Sequence, residues 1–151
     1  MSLIFRPMTR EDVPVVTEIE KSLFSDPWSE RMFLADIKNE KISHAYVLLK
    51  EDTLIGYIVC LLVAGELHIT NVAVVPTQQR AGYGSYLLVQ LFEHHPLYDV
   101  AYLEVREDNL AAIKLYEKFG FLPMYKRRNY YPGGKDAVVM IKFPAPKKGE
   151  K

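Results

Sequence analysis

The segment with the clearest chemical meaning runs from Asn71 to Gly84. A Val-rich stretch, Asn71-Val72-Ala73-Val74-Val75-Pro76, gives way to Gln79-Arg80-Ala81-Gly82-Tyr83-Gly84 at the start of a helical pattern. A glycine inside a helix costs up to about 1 kcal/mol against alanine, so two in one turn need a reason. They let backbone come close to a ligand. Free N–H groups at a helix start, with the dipole behind them and Arg80 beside them, then form a pyrophosphate cradle. The plain alternative is a tightly packed helix start. Neither the G-x-G-x-x-G nor the P-loop pattern occurs, which sets both of those fingerprints aside.

Two more residues stand out against their surroundings. Glu104 interrupts the otherwise apolar run Val100 to Val105. Partial burial there favours a role as proton acceptor, while the competing role is a salt bridge with Arg106 on the same face. Tyr116 follows Asn109 by almost two helical turns, so both project from nearly one side. It is either a proton donor or part of the apolar stripe Ala112, Tyr116, Phe119. The four histidines, His44, His68, His94 and His95, show no metal-ligand spacing, and no metal is expected. Cys60 lies in the apolar run Gly56 to Val63 and reads as a small buried hydrophobe.

The elements that would carry these residues follow from periodicity. Leu3 to Arg6 reads as a strand, and Thr9-Arg-Glu-Asp as a capping box before Val13, Val16, Ile19 and Leu23. After Asp26-Pro27-Trp28, Ser29 caps a second helix through about Asn39. Strands near 44–50, 53–63 and 66–75 are joined by short turns and so form antiparallel neighbours. A helix from Gly82 to Glu93 carries Gly84, Leu87, Leu88 and Leu91 on one stripe. A strand at 100–106, a helix from Asn109 to Phe119 ended by Gly120, and strands at 121–127 and 136–143 complete the order β-α-α-β-β-β-α-β-α-β-β. That order is α/β: a mixed, mostly antiparallel central sheet with helices on both faces.

The chain has 151 residues, with Lys+Arg and Asp+Glu balanced at 19 each. The length fits one domain, residues 1–143, and the polar, Pro-rich stretch 144–151 reads as a flexible tail. The neutral balance gives no signature for nucleic acid or membrane. A single cysteine excludes an internal disulfide, and with no signal peptide or apolar span the expected location is the cytoplasm.

Gln79 to Gly84, in its strand–loop–helix setting, resembles the Q/R-x-x-G-x-G/A element of the GNAT superfamily of acetyltransferases. The element order over residues 3–143 is similar to that superfamily's acyl-CoA N-acyltransferase fold. Three further segments resemble one family within it, the RimI-type ribosomal-protein alanine N-acetyltransferases: Pro27-Trp28-Ser29-Glu30, Leu103-Glu104-Val105-Arg106 with Asn109 to Glu117, and Arg127-Arg128-Asn129-Tyr130-Tyr131-Pro132. The resemblance implies acetyl-CoA as cosubstrate, with Val72, Ala73 and Val74 along the pantetheine arm. It also implies Arg80, Ala81, Gly82, Tyr83, Gly84 and Ser85 at the pyrophosphate, and Asn109 further along the cofactor. Glu104 matches the family's general base and Tyr116 its general acid. Ala81 departs from the larger, often basic residue of many members.

Proton chemistry fits these roles. An α-amine with a pKa near ~8 is mostly protonated at neutral pH and needs a base before it can attack a thioester. Trp28, Tyr130 and Tyr131 would bind substrate, as two loops clamping a chain end and excluding an internal lysine. The implied partner is a protein N-terminus, the N-terminal alanine of the eighteenth small-subunit ribosomal protein, with no direct nucleic-acid or membrane partner. Monomer and homodimer remain open. A lysine- or polyamine-acetylating GNAT and a silent acetyl-CoA sensor are the competing expectations.

Overall fold

The computed structural model describes residues 2–145; the end of the expected tail, 146–151, lies outside the described residues. Eleven main elements appear in the expected order: β1 Leu3–Pro7, α1 Val13–Leu23, α2 Glu30–Lys38, β2 Ser43–Lys50, β3 Thr53–Val63, β4 Glu66–Val74, α3 Tyr83–His94, β5 Val100–Arg106, α4 Leu110–Lys118, β6 Leu122–Tyr131 and β7 Lys135–Lys142. They build a seven-stranded sheet ordered β1-β2-β3-β4-β5-β7-β6. Every neighbouring pair is antiparallel except β4 and β5. Those two are joined by α3, the crossover that a parallel pair requires.

Local chemistry explains the boundaries. The Thr9 backbone N–H donates to Asp12 Oδ2 at 2.8 Å, as the capping spacing predicts, and Arg6 grips the same carboxylate with both terminal nitrogens at 2.7 and 3.0 Å. Ser29 Oγ accepts from Met32 N–H at the start of α2. Gly120, at φ 92, ends α4: its N–H bonds the Glu117 carbonyl while Phe121 N–H bonds that of Tyr116. That crossed pair is a Schellman ending.

Two cores flank the sheet. On one face α3 buries Leu87, Leu88 and Leu91 completely against Ile58, Cys60, Leu67, Leu103 and Met140; each such side chain contributes about 1.5–3 kcal/mol on leaving water. On the other, α1 and α2 bury Val13, Val16 and Phe33 against Val47, Tyr57, Val59 and Ala73.

One irregularity in β4 shapes everything that follows. Val59 faces Asn71 and Cys60 faces Ile69, so Thr70 is an extra residue, a bulge. Because side chains alternate, one added residue reverses which of them face each core. Leu67 and Ile69 pack on the α3 side, whereas Ala73 packs on the α1–α2 side. Beside the bulge, β4 leaves β5. Their pairing covers only Glu66–His68 with Val100–Tyr102, although both strands run on. The result is a notch between two parallel strands, open at their carboxyl ends, where α/β sheets place ligands.

Candidate active site

The notch opens towards the start of α3. Gly82 caps this helix at φ 86, ψ 7, and Arg80 before it also has positive φ, 65. A Cβ on Gly82 would meet no atom within 4 Å. Its glycine is therefore required by the left-handed backbone and leaves open space above the helix end. Gly84 has a different reason. A Cβ there would come within 3.2 Å of Leu115 Cδ2, so it brings α3 close to α4. Close helix packing thus accounts for Gly84, and the left-handed backbone for Gly82.

The first intrahelical bond runs from Tyr86 N–H to the Gly82 carbonyl at 3.0 Å. The N–H groups of Tyr83, Gly84 and Ser85 therefore have no carbonyl behind them in the helix. No acidic side chain lies in this first turn, so dipole and donors are left for an anion. Arg80 and Ala81 are exposed beside them. Val72 and Val74 turn towards the α3 side, and Ala73 is buried on the other. The Val74 carbonyl accepts from Gln79 Nε2 at 3.0 Å, which ties the loop to the strand end.

Glu104 sits on β5 with its side chain only 9% exposed. Its expected partner, Arg106, is not engaged with it: Arg106 bonds both oxygens of Asp108 at 3.1 and 2.9 Å. Asp108 lies in the turn after β5 and reaches the guanidinium from the strand end, whereas Glu104 faces across the sheet. There it meets His68, whose Nε2 lies 2.9 Å from each carboxylate oxygen. The His68 ring stacks on Tyr102, 4.2 Å between centroids and 11° between planes. Tyr130 completes the group, donating its hydroxyl to Glu104 Oε1 at 3.2 Å.

Tyr130 arrives there because β6 is longer than its sequence pattern suggests. Arg128-Asn129-Tyr130-Tyr131 was expected as a turn; these residues belong to β6, and the turn falls on Pro132-Gly133-Gly134. Pairing with β7 slips between Arg127 and Tyr131, with Asn129 at φ 53. The Asn129 N–H is held by Asp136 Oδ1 at 3.0 Å. This bulge re-aims Tyr130 at Glu104. Arg127 lies over the Tyr130 ring at 4.7 Å, and the Tyr131 ring meets it edge-on. Burial, then the neighbouring Tyr130, Glu104 and Tyr116, push the Tyr131 phenol up to about 12.

Tyr116 lies on α4, edge-on to Phe121 with centroids 5.9 Å apart, packed against the α3-side core. Burial pushes its phenol up to about 12. Asn109 is the N-cap of α4 rather than its first turn: Oδ1 accepts from Ala112 N–H at 3.2 Å. Its amide nitrogen is left for other partners.

Trp28 is placed apart from the Glu104 group. Its ring leans on Phe33 at 5.2 Å. With Met32, Ala35, Asp36, Leu61 and Thr70 it lines a groove of about 330 Å³. Leu61, at the groove's edge, is the cross-strand partner of His68, which puts the groove and the carboxylate on one face of the sheet. Trp28 is also anchored from below. Its backbone N–H donates to Glu20 Oε2 at 3.0 Å, while Glu20 Oε1 accepts from Tyr57 Oη at 2.7 Å and Asn71 Nδ2 at 2.9 Å.

Neither His68 nor Glu20 was singled out from the sequence. His68 was considered with the other histidines for metal spacing. The available signal was its place between Leu67 and Ile69, which puts an imidazole on the opposite face of a strand. For Glu20 the signal was a carboxylate inside the stripe Val16, Ile19, Leu23.

The sequence profile described as the acetyltransferase (GNAT) family matches residues 13–121. The chain is 35% identical over 138 residues to the ribosomal protein bS18-alanine N-acetyltransferase of Salmonella typhimurium, covering 88% of this chain and 92% of that one. To the protein of the same name from Escherichia coli K12 it is 36% identical over 134 residues, 85% and 89% of the two chains. The crystal structure of the Escherichia coli ribosomal-protein-S18-alanine N-acetyltransferase superposes with a TM-score of 0.88 at 29% identity, over 99% of both chains.

Proposed function

This chain belongs to the GNAT acetyltransferase family, and we propose that it transfers the acetyl group of acetyl-CoA to a protein N-terminus, the N-terminal alanine of ribosomal protein bS18, in the cytoplasm. The observation that carries this reading is Glu104. It is a largely covered carboxylate held by His68 and Tyr130, on the face that also bears the Trp28 groove. The similarity to bS18-alanine N-acetyltransferases along nearly the whole chain supports the substrate.

Acetyl-CoA supplies an activated thioester. The Tyr83, Gly84 and Ser85 N–H groups, with Gly82, Ala81 and Arg80, bind its pyrophosphate. Val72, Ala73 and Val74 line its arm in the notch, where strand backbone left unpaired by the divergence of β5 offers donors to the acyl oxygen as charge builds there. Asn109 Nδ2 contacts it further on. Glu104 takes a proton from the substrate ammonium so that the amine can attack. Tyr116, a phenol and so protonated at neutral pH, donates to the departing sulfur. Trp28, Tyr130 and Tyr131 flank the entering chain end.

The test is mass spectrometry after incubation with acetyl-CoA and two peptides, one beginning with free alanine and lacking lysine, one N-terminally blocked with internal lysines. One acetyl group is expected on the first peptide alone. Acetylation of the second alone would refute the N-terminal reading.

A further inference from the structure

We propose that His68 is the positioning residue of Glu104, holding the carboxylate aimed through one N–H shared between its two oxygens. This rests on the reading of Glu104 as the general base. The geometry is that of one donor shared between two acceptors: His68 Nε2 stands 2.9 Å from Oε1 and 2.9 Å from Oε2. An ionised carboxylate only accepts, so Nε2 must carry the proton. The ring cannot easily turn away. It is stacked on Tyr102 and set between Leu61 and Tyr102 in the register of three strands.

Other groups near the carboxylate leave this role to His68. Arg106 is held by Asp108, and Arg127 lies over the Tyr130 ring. Tyr130 reaches Oε1 alone, at 3.2 Å, whereas the imidazole spans both oxygens and so fixes the plane of the carboxylate.

The experiment measures kcat and KM for an alanine-starting peptide with saturating acetyl-CoA, for the full chain and for His68→Ala, His68→Gln and Glu104→Gln. His68→Ala, without the donor, should lose about tenfold in kcat with KM little changed. His68→Gln, which keeps an N–H donor, should recover most of that loss. An unchanged kcat in His68→Ala, or no recovery in His68→Gln, overturns the inference. Should either variant not fold, nitrogen-15 NMR of the parent's imidazole decides: an Nε2 without a proton overturns it, and an Nε2 that carries one supports it. Full turnover in Glu104→Gln would instead remove the reading on which the inference rests.

Discussion

The molecule holds two carboxylates in similar-looking hydrogen-bond networks, and they are built for opposite purposes. Glu20 on α1 is 2% exposed and accepts three donors from three separate elements: Tyr57 on β3, Asn71 on β4 and the Trp28 backbone. Glu104 on β5 accepts from His68 and from Tyr130, whose hydroxyl is carried on a bulged strand at the sheet edge. Around Glu20 the helices close over the sheet. Around Glu104 the cover comes from side chains, His68 and Tyr130, and β4 parts from β5 beyond His68. A carboxylate surrounded by three fixed donors stabilises structure; one held by two side chains beside parting strands keeps acceptor capacity for a proton.

Replacing each by glutamine should separate the two. Glu104→Gln is expected to lower kcat by about 10²–10⁴, the usual worth of a positioned base, with the melting temperature nearly unchanged. Steady-state kinetics beside a thermal melt would read both. A loss of less than about tenfold would mean that Glu104 does not carry the proton transfer.

Glu20→Gln should do the reverse. The amide oxygen can still serve Tyr57 and Asn71, but its NH2 then faces the Trp28 N–H, donor against donor. Leaving a buried donor unpaired costs about 1–3 kcal/mol, or about 2–4 °C in melting temperature for each kcal/mol in a chain of this size. Because Trp28 is freed, KM for the peptide should rise more than kcat falls. If the variant melts with the parent, Glu20 is not the anchor of the α1–α2 connection.

The same contrast explains what could be seen in the sequence. Element order and type were legible because each element has its own period, and the helix ends because Ser29 and Gly120 are local signals. Glu104 stood out as a charge in an apolar strand. What surrounds it did not: His68 lies 36 residues earlier, across α3, and meets it only through the β4–β5 register. The anchors of Trp28, its ring on Phe33 and its backbone on Glu20, were not legible either, since both partners are hidden in helix stripes. The bulge at Thr70 left no sequence mark, because an extra residue in an apolar strand alters facing rather than composition.

Histidines sharpen the comparison at a second place. His95, at the far end of α3, accepts or donates at 2.7 Å to Tyr46 Oη and lies 4.4 Å from the His44 ring. Burial, then the neighbouring His44 and His94, push it down to about 4. Its folded value lies below the ordinary 6.5, so the unfolded chain binds more protons in between, and the associated stability is lost as pH falls from 6.5 towards 4. Thermal melts across that range should show a slope that His95→Gln flattens. A slope unaffected by the replacement would place the acid sensitivity elsewhere.

The smallest expected effect tests whether the bulged strand matters to chemistry or only to shape. Tyr130→Phe removes the 3.2 Å bond to Glu104 Oε1 but keeps the ring under Arg127 and against Tyr131. At that length a neutral hydroxyl contributes about 0.5–1.5 kcal/mol, so kcat should fall by about two- to tenfold. KM should hardly move, because the aromatic surface offered to the peptide is retained. A change in KM with kcat intact would make Tyr130 a substrate contact rather than a support of the carboxylate. Glu104 would then depend on β4 alone, through His68, for its orientation.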